Sequence, residues 1–290
     1  MDRRLFIKNI GITAIAMSGT NTILKNLHNL EEQNDTLPVL FIGHGSPMNA
    51  LENNEFSNSW DQLGKNIARP KAILCVSAHW ETQGTKVTAM AQPKTIHDFG
   101  GFPKELFDKE YPAPGSPDFA KLTASEIKKT HVELDQEWGL DHGSWSVLCR
   151  MYPLADIPCF QLSLDYTKPP LYHYDLAKEL LNLRKKGVLI IGSGNVVHNL
   201  GLLRFNNPAF EWASEFDAKI KNLILEGNHN DLINYSRFGR MAELSIPTNE
   251  HYLPLLYTLA LQQKNEKVTF FNESTVLGSI SMRSLIISGQ

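Results

Sequence analysis

"PVLFIGHGSP" (residues 38–47) is an apolar run that stops at a histidine held between two glycines. Its β-branched and aromatic core, with turn residues directly after it, reads as a buried strand over 37–43. Glycine lets the backbone turn sharply and lets other groups approach closely. In an open α/β sheet, a strand that ends this way points into the crevice where ligands bind. The two glycines therefore read as freeing the His44 imidazole to reach into that crevice. A tight turn with an incidental histidine is the plainer alternative, and the rest of the chain has to decide between them.

Outward from this strand, apolar runs alternate with amphipathic ones. Further strand candidates are "KAILCVSA" (71–78), "TKVTAMA" (85–91), "IPCFQLSL" (157–164) and "GVLIIGSG" (187–194), and "VTFFNES" (268–274) with "SISMRSLII" (279–287) reads as a terminal antiparallel pair. Helix candidates span 116–130, which opens on Ser116 and Pro117, then 171–186, 207–227 and 248–263, the last with Pro254 in its first turns. Strands alternating with helices predict one α/β domain with a central, mostly parallel sheet flanked by helices and a C-terminal antiparallel pair. No repeat, low-complexity tract or second-domain boundary interrupts residues 37–290.

A chain of 290 residues, 42% hydrophobic and 20% charged, has ample length for a core. A net charge of −3 without a Lys/Arg cluster excludes an obvious nucleic-acid surface. Cys75, Cys149 and Cys159 form no C-x-x-C pair and sit among apolar neighbours, so they read as buried free thiols. The N-terminus differs in character. Arg3 and Arg4 in "DRRLFIK" precede the mildly apolar "NIGITAIAMSGT", the pattern of a twin-arginine export signal over residues 1–30, followed by a polar linker over 31–36. That reading sends a folded protein to the periplasm; an amphipathic N-terminal helix on a cytoplasmic protein is the alternative. No later stretch approaches the roughly 18 apolar residues of a spanning helix, so no membrane partner is expected of the mature chain.

The ten histidines separate by setting. His44, His79 and His198 each follow a predicted strand, in "GHGSP", "VSAHWET" and "GSGNVVHNL", and so fall on one edge of the sheet. His142 lies in "DHGSW", a Gly-flanked loop before a helix, and His251 lies in the first turn of the helix that begins near Thr248. His28, His131, His173 and His229 sit in polar or helical surroundings and read as surface residues. Neutral imidazole is a common ligand for zinc and divalent iron, and a catalytic ion needs three or four such groups with one position left open. No short-range ligand spacing is present, so the fold itself would have to assemble the site.

"GHGSP", "SAHWET", "YPAPGSP", "DHGSWSVL", "GSGNVVHNL" and "EHYLPLLY", in this order, resemble the class III extradiol ring-cleavage dioxygenases, in particular the DOPA 4,5-dioxygenase branch, from about residue 37 to the C-terminus. The resemblance implies an α/β domain that opens the ring of a catechol with dioxygen. It implies one divalent metal ion, Zn2+ or Fe2+, on His44, His79 and His251. His198 matches a histidine that is the acid–base catalyst in some relatives and a further metal ligand in others, and His142 matches a histidine beside the substrate. Protocatechuate-cleaving relatives use a glutamate as third ligand; here His251 stands in that region with Glu250 beside it. Adjacent helical residues point about 100° apart, so one of the two faces the metal, and His251 is preferred.

"HDFGGFP" (97–103) offers Phe99 and Phe102 as a loop over a flat ring, with His97 and Asp98 as partners for a substrate ammonium or carboxylate. Tyr111 reads as part of the pocket wall. Two rival functions stay open at this point. A zinc Lewis-acid hydrolase would use the same ligands without dioxygen, and a binding protein of the same fold would be expected to have lost them.

Overall fold

The computed structural model describes residues 36–205 and 208–289. The export signal read over 1–30 and nearly all of the 31–36 linker, His28 included, lie outside the described residues. Twelve strands occur in chain order: β1 Val39–Gly43, β2 Ala72–Ser77, β3 Glu81–Thr82, β4 Thr85–Thr88, β5 Val132–Asp135, β6 Cys159–Gln161, β7 Leu164–Asp165, β8 Val188–Gly194, β9 Lys267–Phe271, β10 Thr275–Val276, β11 Ile280–Ser281 and β12 Ser284–Ser288. The α-helices are α1 Glu55–Asn66, α2 Lys104–Phe107, α3 Pro117–Glu126, α4 His142–Met151, α5 Pro170–Lys178, α6 Leu181–Lys185, α7 Glu211–Leu225, α8 His229–Ile233, α9 Arg240–Ser245 and α10 Leu253–Ala260. No helix among these residues is long and apolar enough to cross a membrane.

Six strands form the central sheet in the order β6-β2-β8-β1-β12-β9. The first four run parallel, and β12 pairs antiparallel with both β1 and β9. Every residue of β1, β2 and β8 is buried, as expected for parallel strands covered on both faces. Alternate residues divide between two cores. Val39, Phe41, Leu74 and Ile190 share one core with residues of α5, α7 and α10, whereas Leu40, Ile42, Ile73 and Ile191 share the other with Trp60 of α1 and Trp145 and Leu148 of α4. The result is a three-layer α/β/α arrangement, and the parallel strands bring the ends of β1, β2 and β8 to one edge.

The terminal pair is antiparallel as read, but β12 also joins β1 and so extends the central sheet. Residues 85–91 contribute β4, which pairs with β5 outside the central sheet, and 157–164 divides into β6 and β7. The helix read over 171–186 breaks into α5 and α6 at a tight turn, where Glu179 N–H donates to the Leu176 carbonyl and Leu180 N–H to that of Ala177. The last long helix begins at Leu253 rather than Thr248, because Pro254 occupies a first-turn position where its missing N–H costs nothing. His173 is buried rather than on the surface, with Nδ1 3.1 Å from the Tyr257 hydroxyl. His229 is half-buried, 2.6 Å from the Tyr174 hydroxyl, and His131 is exposed. The three cysteines are free and buried, and burial pushes their thiol pKa values up.

Candidate metal centre

Five histidines meet at the C-terminal edge of the parallel strands. His44 leaves β1 with its N–H donating to the Gly194 carbonyl at 3.1 Å. Gly45 turns the chain at φ +59°, and a Cβ on Gly43 would stand 2.7 Å from the Met282 carbonyl group. Gly43 thus makes room for the Met282–Arg283 backbone, and Gly45 for the Met282 side chain. His79 follows β2, its N–H donating to Ser77 Oγ at 3.2 Å, and Ser77 Oγ donates to Asp141 Oδ1 at 2.7 Å. His142 is the first residue of α4, capped by Asp141. His251 occupies the turn before α10, where its carbonyl accepts from Asn195 N–H at 2.8 Å. His198 is pinned beyond β8 by its N–H donating to the Ser245 carbonyl at 2.9 Å.

The rings of His44, His79 and His251 form a nearly equilateral triangle, with centroid separations of 5.0, 5.3 and 5.0 Å. One nitrogen from each lies within 4.8 Å of the other two. In each ring the Nδ1 side is occupied. His44 Nδ1 is 3.0 Å from Ser193 Oγ, whose hydroxyl donates to the Gly143 carbonyl at 2.5 Å and so has a lone pair to offer the imidazole. His79 Nδ1 faces Asp98 Oδ2 at 3.3 Å. His251 Nδ1 donates to Glu250 Oε1 at 3.0 Å, which also accepts from Thr248 Oγ1 at 3.0 Å. All three protons therefore belong on Nδ1, and all three Nε2 lone pairs are left bare.

Two consequences follow. His44 Nε2 and His79 Nε2 stand 3.1 Å apart with no proton to share, and His251 Nε2 is buried without a partner. Bare lone pairs this close repel unless a cation lies between them. Two nitrogens each about 2.1 Å from an ion stand about 3.0 Å apart at a right angle and about 3.4 Å apart at the tetrahedral angle. The donor set fits a divalent ion, with backing groups of the kind that orient metal-bound histidines. Burial, followed by the neighbouring imidazoles, holds His44 and His251 well below the usual histidine pKa and lowers His79 to about 4. Near neutral pH these rings are therefore uncharged, the form that binds metal.

His198 stands outside this cluster. Its ring lies flat on His251, with centroids 3.5 Å apart and planes 7° apart, and it groups with Glu250 and His251. Burial lowers it to about 4 as well, with a partial offset from Glu250. His142 packs against His79 at 3.8 Å between centroids, with Nδ1 3.0 Å from Asp98 Oδ2. Phe99 stands 5.5 Å from the His142 ring and continues into Phe102 and Phe107, forming an aromatic wall beside the cluster. His97 and Asp98 are both engaged inside the protein: His97 Nε2 is 2.9 Å from the Lys109 carbonyl oxygen, and Asp98 Oδ1 accepts from His142 N–H at 2.9 Å. Tyr111 is buried, its hydroxyl donating to the Tyr152 carbonyl at 3.1 Å. Sequence reading missed Ser193 and the backing roles of Asp98 and Glu250. Glu250 was visible only as a rival ligand, and the other two pairings span distances that no local spacing reveals.

Residues 38–281 match the profile of the catalytic LigB subunit of aromatic ring-opening dioxygenases. The chain belongs to this family. It is 48% identical over 257 residues to the 4,5-DOPA dioxygenase extradiol of Escherichia coli (strain K12), covering 87% of this chain and 94% of that one. It is 36% identical over 258 residues to the 4,5-DOPA dioxygenase extradiol of Beta vulgaris, covering 85% and 94%. A crystal structure of an uncharacterised Escherichia coli K12 protein superposes with a TM-score of 0.76 at 42% identity, covering 86% of this chain and 99% of that one. The chain is thus an extradiol ring-opening dioxygenase of the LigB family, and the histidine cluster lies within the matched residues.

Proposed function

We propose that this dioxygenase opens the ring of a catechol bearing a DOPA-like side chain, using one divalent ion held by Nε2 of His44, His79 and His251. The carrying observation is the convergence of three imidazoles, each with an oxygen beside Nδ1 that can hold the ring proton there and leave Nε2 for an ion. Ferrous iron in this place would supply both the Lewis acidity that gathers two adjacent phenolic oxygens and the electron transfer that activates dioxygen, whereas zinc would supply only the first.

The protein's own groups account for the rest. His198, kept neutral by burial, is a proton acceptor near neutral pH and takes a proton from the catechol hydroxyl; as imidazolium it returns that proton later in the same turnover. Proton balance closes within the site, and both oxygen atoms of dioxygen end in the product. His142, held against His79, lines the substrate side, and Phe99 offers an aromatic edge to a flat ring. The Arg3–Arg4 segment supports export of the folded protein to the periplasm, which fractionation of cells making the full chain tests.

Oxygen consumption tests the functional reading. Protein loaded anaerobically with ferrous iron should consume oxygen with L-DOPA or a simpler catechol and form a coloured ring-opened product. The zinc-loaded protein should not. Iron-loaded protein that consumes no oxygen with any catechol would refute the proposal.

A further inference from the structure

We propose that Asp98 is a positioning residue that sets the orientation and tautomer of two imidazoles at once, His79 on the metal side and His142 on the substrate side. The inference rests on the reading of His79 as a ligand.

Asp98 belongs to the loop "HDFGGFP" and reaches inward from it. Oδ1 accepts the His142 backbone N–H at 2.9 Å, which fixes the carboxylate to the start of α4. Oδ2 then faces two ring nitrogens, His142 Nδ1 at 3.0 Å and His79 Nδ1 at 3.3 Å. A carboxylate can only accept, so a bare nitrogen lone pair at either place would meet oxygen lone pairs. His142 Nδ1 makes no aligned hydrogen bond. The carboxylate therefore acts on both rings through its charge at 3.0 and 3.3 Å, which favours the proton on Nδ1 in each. This leaves Nε2 of His79 free for the ion and Nε2 of His142 free for the substrate. One oxygen thereby biases two tautomers whose rings lie 3.8 Å apart.

A single oxygen of Asp98 lies within 3.3 Å of a nitrogen of each of two rings. Ser193 and Glu250 each face one histidine of the cluster. The next residue, Phe99, is the aromatic wall against His142, so a single loop carries both the substrate-facing ring and the clamp. A role in binding a substrate ammonium is disfavoured by the same geometry, because both carboxylate oxygens are already engaged within the protein.

Asp98→Asn keeps the shape but replaces one oxygen with an amide NH2. If the remaining oxygen faces the two rings, the NH2 meets the His142 backbone N–H; in the flipped orientation, the NH2 meets the ring nitrogens and forces His79 toward the wrong tautomer. Zinc affinity, read by competition with a chromophoric chelator, should fall by about 10- to 100-fold, while the melting temperature of the metal-free protein changes little. His79→Ala serves as the control. Loss of zinc in His79→Ala with undiminished affinity in Asp98→Asn would overturn the positioning role and leave the ligand reading standing. Zinc retained by His79→Ala would overturn both. A melting temperature lowered in step with affinity would assign Asp98 a merely structural role. Long-range 1H–15N spectra of the wild-type zinc protein give an answer that does not depend on the variant folding. His142 protonated on Nδ1 supports the proposal, and His142 protonated on Nε2 overturns it.

Discussion

Gly194→Ala probes how the end of β8 places a histidine of the cluster. A Cβ built on Gly194 would lie 2.1 Å from the His251 carbonyl oxygen and 3.0 Å from its carbonyl carbon. Both are backbone atoms, so no side chain can rotate away. Restoring an ordinary contact of 3.4 Å from 2.1 Å requires the strand and the turn to part by 1.3 Å. The adjacent Asn195 N–H to His251 carbonyl bond, 2.8 Å long, resists that movement. Metal–ligand distances tolerate about 0.2 Å, so a shift several times larger removes His251 from the cluster. Zinc affinity should fall by about 100-fold or more, beyond what loss of a backing group costs. Overpacking of this kind costs about 1–3 kcal/mol. At about 2–4 °C per kcal/mol for a domain of this size, melting should drop by about 2–12 °C, and the sheet should survive. Chelator competition and thermal melts of the metal-free variant measure the two effects separately. Wild-type zinc affinity in a folded Gly194→Ala protein would refute the reasoning.

Three further expectations concern other residues. His198→Gln should keep its metal but slow oxygen uptake by about 10²- to 10⁴-fold; unimpaired turnover would remove His198 from proton transfer. Burial lowers His173 to about 4 in the folded chain, against about 6.5 unfolded. Its contribution to stability is thus complete above pH 6.5 and is lost as pH falls toward 4, because the unfolded chain takes up the proton first. His173→Gln should flatten the acid-side loss of stability in urea unfolding by up to one proton, about 1.4 kcal/mol per pH unit, and an unaltered slope would contradict a buried neutral ring. Arg184 is fully buried, paired with Glu266, and donates to the carbonyls of Leu37 at 2.9 Å and Leu261 at 2.8 Å. Glu266→Ala should therefore cost about 3–5 kcal/mol by stranding that charge, and a loss below about 1 kcal/mol by denaturant titration would count against it.

The parts of the fold legible in the sequence were those whose hydrophobic pattern is dictated by burial on both sides. β1, β2 and β8 are continuous apolar runs because helices cover both faces, and their ends carried His44, His79 and His198 to one edge. α1 escaped notice because only Phe56, Ser57 and Trp60 of its twelve residues are buried, too few to mark a stripe. β4 and β5 form a side pair in which Glu133 and Leu134 are exposed, so their alternation is faint. His173 looked like a surface residue because its neighbours are polar or aromatic; only the packing of α5 against α10 buries it beside Tyr257. Within the site, strand-end positions pointed to His44, His79 and His198, and the resemblance to the family implied His251 as the third ligand. The atoms that fix the tautomers, Ser193 Oγ and Asp98 Oδ2, could not be read in advance, because such pairings exist only once separate elements are packed together.

The most direct test of the account is the metal content of the full chain and of four single variants, measured after loading with one divalent ion and removing the excess. One ion per chain is expected in the wild type and in His198→Ala, and none in His44→Ala, His79→Ala or His251→Ala. An ion retained by any of the last three, or lost on removing His198 alone, would contradict the three-histidine centre.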